Sequence, residues 1–396
     1  MAPGPSGISV YAELLPNIRQ VSVGASLPGS PDATTSAEVV DGGLRFRISH
    51  QGQSELLDLP ATVTAPSVLV IPRTQGSNPS WRLPASIDEA SALRSATESQ
   101  VAPWSSMDLK VGSSVTCRNC GNLIVPGEGI RVWKDLPSEN WAEMMEFWHC
   151  HKPHDHKSHE DEGLADRGYG ANHVITAQPG VGFVDITSFM FSESDCSNVQ
   201  FLSSIRGATF NSSSQVIDYD PSNKHVSVVC GGCQTEIGLY KVSSSSILLF
   251  KWQVTCETVK PSNIPSQLEC LASTLLATIS RSGYAKSVLI PYRPESHPQP
   301  LRVPHLWVLN PNVVYTSSTC RGKRAAVKIL YRDINVEEAN GFLDSITSDV
   351  QEINLPLTAI KATREALASS TVLIPERERS FQGWSAGLLD RWSIGP

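Results

Sequence analysis

The chain predicts an α+β fold that is β-rich, with antiparallel sheets and a few packed helices. Three observations predict it. Two cysteine pairs of one form, Cys117-Arg-Asn-Cys120 and Cys230-Gly-Gly-Cys233, are each flanked by strand-like sequence. Short β-patterned runs punctuated by Gly, Pro and Ser dominate the remainder. Helical periodicity is confined to isolated segments without a βαβ rhythm.

The cysteine pairs are the most specific of the three. A zinc ion takes four soft ligands at tetrahedral corners, and one C-x-x-C turn supplies two thiolates. Val115-Thr116 and Val226 to Val229 precede the pairs, and Leu123-Ile124-Val125 and Ile237 to Tyr240 follow them. Two hairpin tips joined by one structural zinc are therefore expected, with Cys117, Cys120, Cys230 and Cys233 as ligands. A redox C-x-x-C opens a helix after a strand, whereas Gly121, Gly231 and Gly232 and strands surround these pairs.

Along the chain, residues 11–15 read as a strand, and 44–48 alternate as a half-buried strand does. The apolar run Val68-Leu69-Val70-Ile71 predicts a fully buried strand. The polar stretch 72–100 leaves room for one short helix around 87–93. A helix is expected over 138–149, because Trp141, Met144, Met145 and Trp148 fall at i, i+3, i+4 and i+7 on one face. Residues 153–170 are charged and histidine-rich, a disordered, solvated loop by composition. Residues 192–222 are serine-rich with little periodicity, and β character resumes over 247–254. Ser266-Gln-Leu-Glu269 is a capping box opening a helix with Leu268, Leu271, Leu275 and Ile279 on one face. Strands follow at 287–291, 306–315 and 325–331, and a helix over 356–367 begins with proline in the favoured first turn. Three regions result: a β-rich domain over 1–105, a zinc-knot region over 106–260 and an α+β region over 261–396.

The charge balance is mildly acidic, −7 from 32 Lys and Arg against 39 Asp and Glu, and no basic block stands out. That argues against direct nucleic-acid binding. No stretch approaches the roughly 18 apolar residues of a membrane helix, and Met1 to Gly7 has no leader-like pattern. A soluble intracellular protein with reduced thiols is expected. No phosphate loop, G-x-S-x-G elbow, H-E-x-x-H helix or dinucleotide fingerprint occurs, which disfavours common hydrolases and nucleotide enzymes.

Other thiols and imidazoles offer further chemistry. Cys150 and His151 follow the tryptophan-bearing helix and would be presented together, as nucleophile and base or as ligands reaching a partner's metal. Alternatively they are a buried cysteine beside a surface histidine. His149, His151, His154, His156 and His159 have the irregular spacing of an adventitious chelator. Cys320 sits among Arg321, Lys323 and Arg324, cations that favour a thiolate. Cys196, Cys256 and Cys270 are poorer nucleophile candidates.

Several blocks together point to one family. They are Tyr11-Ala-Glu-Leu-Leu-Pro-Asn-Ile-Arg-Gln20, Leu136-Pro-Ser-Glu-Asn-Trp141 and Phe147-Trp148-His149-Cys150-His151. With them go both cysteine pairs, Ile237-Gly238, the run from His305-Leu-Trp307 to Tyr315-Thr-Ser317, and Ala326-Val-Lys-Ile-Leu-Tyr331. Over nearly its whole length the chain resembles the HECT-like ubiquitin-protein ligases first described as proteins that bind ubiquitin-conjugating enzymes. The resemblance implies acceptance of ubiquitin from a conjugating enzyme and its transfer to substrates, in the cytoplasm and nucleus. It also implies an alternative: a non-catalytic chaperone or inhibitor of the metallo-β-lactamase endonuclease of pre-mRNA cleavage and polyadenylation. In that reading Trp148, Cys150 and His151 form the contact. The cysteine pairs are also similar to the zinc knot of β-tent proteins. A bilobal HECT domain with its thioester cysteine near the C-terminus has no counterpart here, so no catalytic residue is assigned.

Overall fold

Alternating apolar and polar residues make strands the prevailing regular element among the described residues. In the computed structural model, residues 7–72, 76–86, 103–136, 176–202, 209–212, 225–259, 264–292 and 302–392 are described. The helix expected over 138–149, the loop over 153–170 and the short helix near 87–93 lie outside the described residues. The first strands are β1 (Ser9–Leu15), β2 (Gln20–Ser26), β3 (Ser36–Val40), β4 (Arg45–His50), β5 (Gln53–Asp58), β6 (Val68–Leu69) and β7 (Ser80–Pro84). Next come β8 (Val115–Cys117), β9 (Leu123–Val125), β10 (Val132–Asp135), β11 (Val181–Val184), β12 (Ser188–Ser192) and β13 (Val199–Leu202). They are followed by β14 (Thr209–Phe210), β15 (His225–Cys230), β16 (Glu236–Lys241), β17 (Ser246–Phe250) and β18 (Val254–Cys256). The last part holds α1 (Gln267–Ser282), β19 (Lys286–Pro291), β20 (Arg302–Ser317), β21 (Cys320–Asn335), α2 (Val336–Leu343), β22 (Val350–Leu355), α3 (Leu357–Ser370), β23 (Ser380–Phe381) and β24 (Trp384–Asp390).

These elements form two units, one of residues 1–101 with 271–396 and one of residues 102–270. In the first unit, β23-β24-β21-β20-β1-β2-β7 form one sheet, to which β19 and β22 add beside β20. Members of the expected regions 1–105 and 261–396 thus share a sheet: β1 pairs with β20 from Tyr11↔Ser317 to Leu14↔Val314. Within this unit pairing is antiparallel except for β19 with β22. One face of β1, β2 and β7 buries Ala12, Leu14, Val21, Val23 and Leu83 against Phe46, Ile48 and Leu57 of the sheet β5-β4-β3-β6. The run at 68–71 is not the fully buried strand its composition suggested. It lies at the edge of that sheet, where alternation leaves Val68 72% and Val70 87% exposed while Leu69 and Ile71 pack inward.

The other face of the large sheet carries Tyr11, Tyr315, Leu330 and Leu388, covered by Ile374. It also holds a buried ionic group. Lys328 Nζ donates to Glu13 Oε1 and Oε2 at 3.0 and 2.9 Å and to Glu378 Oε2 at 3.3 Å, and the Tyr11 hydroxyl donates to Glu13 at 2.9 Å. Burial and then the Glu13 carboxylate hold the Tyr11 phenol well above its ordinary pKa. Burial alone would lower the Lys328 ammonium, but Glu13 and Glu378 raise it.

His305, on β20, is 3% exposed between the Trp384 and Phe342 rings, at 4.7 and 5.2 Å between centroids. Burial, with Arg332 and Lys286 adding repulsion, pulls its pKa down to about 4. An unfolded histidine titrates near 6.5. Between these values the unfolded chain takes up a proton that the folded chain refuses, so stability falls as the pH drops from 6.5 to 4 and this contribution levels off below 4. His305→Phe is expected to remove up to about 3 kcal/mol of that acid sensitivity. Melting at pH 7, 5 and 4 checks this, and identical pH slopes in both proteins would refute it.

The second unit has the sheet β10-β11-β12-β17-β16-β15-β13-β14 and the smaller sheet β18-β8-β9. Trp104, Trp133, Phe189 and Phe191 pack ring to ring within its core. The single strand expected over 247–254 is split into β17 and β18 by a turn. In that turn Lys251 is 1% exposed, and its ammonium donates to the Pro103 and Trp104 carbonyls at 2.8 Å. Burial pulls this lysine down to about 8.

Candidate metal centre

The two C-x-x-C turns fold as matching hairpin tips, here called knuckles. In the first, Cys117 N donates to Asn122 O and Gly121 N to Cys117 O, both at 2.8 Å. In the second, Cys230 N donates to Thr235 O and Gln234 N to Cys230 O, both at 2.9 Å. Each turn needs a left-handed residue just after its second cysteine, supplied by Gly121 (φ 73°) and Gln234 (φ 60°). Glycine adopts that conformation freely, whereas for glutamine it costs about 1 kcal/mol. Gln234 is secured there by its side chain, which donates to Gln200 Oε1 at 2.9 Å.

The loop between β12 and β13 sets the knuckles side by side. Ser197 N donates to Ile124 O and Gly231 N to Asn198 O, both at 2.7 Å, and the Asn198 amide donates to Leu123 O at 2.9 Å. Glycine at 231 keeps this approach close, since a Cβ there would stand 3.0 Å from Asn198 O and push the loop back by a few tenths of an ångström. Arg118, inside the first knuckle, donates from its backbone to Gln253 O at 2.9 Å and from its guanidinium to Val254 O at 3.0 Å. That fastens the knuckle to the turn carrying Lys251.

All four sulfurs consequently lie within 4.8 Å of one another. The contacts across the knuckles are Cys117 to Cys233 at 3.7 Å and Cys120 to Cys230 at 3.6 Å. These separations are far longer than the roughly 2.05 Å of a disulfide. Four sulfurs about 2.3 Å from a central ion would stand about 3.8 Å apart. The four cysteines can hold a metal ion, and the donor set and spacing are compatible with zinc. Strands rather than helices follow both pairs, unlike the redox motif.

The protonation of the metal-free cluster is uneven. Burial pushes Cys117 up to about 12, and Cys120 is raised as well. Burial opposes ionisation of Cys233, but hydrogen bonds from Thr235 and Asn119 bring it down to about 6. Four thiolates this close repel one another, and a divalent cation among them removes that repulsion.

Trp148, Cys150 and His151, with the other histidines of their tract, lie outside the described residues. Cys320 is half-buried as the first residue of β21, paired with Ser317 just after the turn from β20. Cys256 and Cys270 are buried thiols pushed up to about 12, chiefly by desolvation, and burial raises Cys196 strongly too. Sequence reasoning passed over Asn119, Asn122, Asn198 and Thr235. The available signal was a polar hydrogen-bonding residue, Asn122 or Thr235, two positions after each pair.

A family model described as HECT-like Ubiquitin-conjugating enzyme (E2)-binding matches residues 13–386. The uncharacterized protein YJR141W of Saccharomyces cerevisiae is 26% identical over 286 residues, 71% of this chain and 71% of that protein. The uncharacterized protein C1734.10c of Schizosaccharomyces pombe is 26% identical over 302 residues, 73% of this chain and 77% of that protein. No solved structure matches the chain.

Proposed function

The chain belongs to the HECT-like ubiquitin-conjugating enzyme (E2)-binding family, and from that premise we propose that it is a ubiquitin-protein ligase. It takes ubiquitin from a conjugating enzyme and passes it to substrates in the cytoplasm and nucleus. One structural zinc held by Cys117, Cys120, Cys230 and Cys233 maintains its second unit, with no open coordination position for catalysis. The observation that carries this reading is the family match over residues 13–386, which takes in both units.

Transfer through a thioester needs a thiol the conjugating enzyme can reach. The thiolate attacks the carbonyl carbon of the ubiquitin thioester, a new thioester forms, and the conjugating enzyme's thiolate leaves. A substrate amine then attacks that carbonyl, forms the amide and releases the ligase thiol. Cys256 and Cys270 are too buried and too weakly acidic for this role. Cys320 and Cys150 are the candidates. With charged conjugating enzyme, a reducing-agent-sensitive ubiquitin adduct is expected, abolished by Cys320→Ser or by Cys150→Ser. Absence of an adduct on any single cysteine would leave a conjugating-enzyme-binding protein without transfer.

A second reading, binding to the cleavage and polyadenylation endonuclease, is favoured by the apolar stripe Trp141, Met144, Met145 and Trp148 running into Cys150 and His151. It predicts that the endonuclease is recovered with the wild-type protein and lost with Cys150→Ala/His151→Ala.

A further inference from the structure

The two knuckles correspond position by position: Cys117, Asn119, Cys120, Gly121 and Asn122 match Cys230, Gly232, Cys233, Gln234 and Thr235. Matching positions meet crosswise. Asn119 Nδ2 donates to Thr235 Oγ1 at 3.1 Å. The Asn122 amide lies against Gly232, where a Cβ would come within 3.1 Å of its nitrogen. Both contacts involve a ligand sulfur: Asn122 Nδ2 donates to Cys230 Sγ at 3.7 Å, and the Cys233 thiol donates to Thr235 Oγ1 at 3.2 Å.

We propose that Asn119, Asn122 and Thr235 are positioning residues of the metal centre, an uncharged belt that joins the knuckles and donates hydrogen bonds to the thiolates. The inference rests on the zinc reading of the four cysteines. Once Cys233 is ionised as a ligand its thiol proton is gone, and the Thr235 hydroxyl becomes the donor to that sulfur while its oxygen keeps the Asn119 bond. Asn122 reaches across to the other knuckle and serves Cys230. A sulfur that accepts such a bond carries less negative charge toward its three neighbours, so four thiolates crowd one ion with less repulsion. The belt also holds the ligands at their spacing from outside, so that departure of one ligand from the ion does not let the knuckles part. Partners of this kind commonly contribute tenfold to a hundredfold in metal affinity.

The test is zinc release from the full-length, zinc-loaded protein into excess chromogenic chelator. Thr235→Val and Asn122→Ala are expected to release zinc roughly tenfold faster. Thr235→Ser, which keeps the hydroxyl, should return close to the wild-type rate, a rescue that a packing role for the methyl group would not give. Asn119→Ala, at an exposed position, provides the measurement if a variant at 122 or 235 does not fold, and faster release is expected there too. Unchanged release rates in zinc-bound variants would overturn the positioning role alone. A folded wild-type protein that takes up no zinc would overturn the zinc reading, and this inference with it.

Discussion

Cys230→Ser is expected to abolish metal binding and unfold the unit of residues 102–270. Cys230 is 0% exposed, accepts the Asn122 amide, and ends the strand β15 whose partners run through the eight-stranded sheet. A serine hydroxyl is a poor zinc ligand and would be left buried beside three thiols. Structural zinc contributes about 10–16 kcal/mol to small sites, which is comparable with or larger than the roughly 5–15 kcal/mol that keeps a whole domain folded. Zinc content, far-ultraviolet circular dichroism and limited proteolysis of the purified variant check the result. A soluble variant that melts normally yet no longer transfers ubiquitin would instead place Cys230 in the chemistry.

Lys328→Met is expected to destabilise the first unit by about 3–5 kcal/mol, because it leaves a buried carboxylate without its cation. The Glu13 side chain is 6% exposed and that of Lys328 is 12% exposed, so solvent does little to replace the lost partner. Glu378, itself bonded to Lys328 at 3.3 Å, would add repulsion once the ammonium is gone. Glu13→Gln combined with Lys328→Met should recover most of the loss, since the carboxylate that then remains, Glu378, is 27% exposed and has Arg377 3.9 Å away. Urea unfolding of the single and double variants measures both effects. A single variant within 1 kcal/mol of wild type would show that this ion pair contributes little.

Local signals were the legible ones. The capping box at Ser266 closes as expected: Glu269 N donates to Ser266 Oγ at 3.2 Å and Ser266 N to Glu269 Oε2 at 2.6 Å. The resulting helix α1 buries Leu271 and Leu275. The strands flanking each cysteine pair were readable because a hairpin tip is a short-range object, and both tips form where the pairs predict. The long hairpin of β20 and β21 was only partly readable. The strands expected over 306–315 and 325–331 extend further: bulges near Val308 to Val313 take up the irregularity, and pairing runs from Arg302 to Ser317 on β20 and through the basic stretch Arg321 to Arg324 on β21. Helix α2 was missed although Asn335 caps it by accepting from Glu338 N at 2.7 Å; its short apolar face was hidden between long strands. The serine-rich stretch near 197–198 looked structureless because its role is to supply backbone groups to both knuckles, which no periodicity records. Nothing local in the 247–254 run marks Lys251 for burial, because the Pro103 and Trp104 carbonyls that receive its ammonium are distant in sequence.

The pairing of β1 with β20 sets an order of events on the ribosome. Val10 and Ser318, hydrogen-bonded in the finished sheet, are 308 residues apart. At about 5–20 residues per second, β1 emerges roughly 15–60 s before its second neighbour exists. It finds β2 at once, but its other edge stays open through the synthesis of the entire intervening unit, which by then has all its own strands. Nascent chains of this protein therefore pass through a stage with one finished unit and one apolar edge strand awaiting closure, where premature termination or loss of the C-terminal hairpin would lead to aggregation.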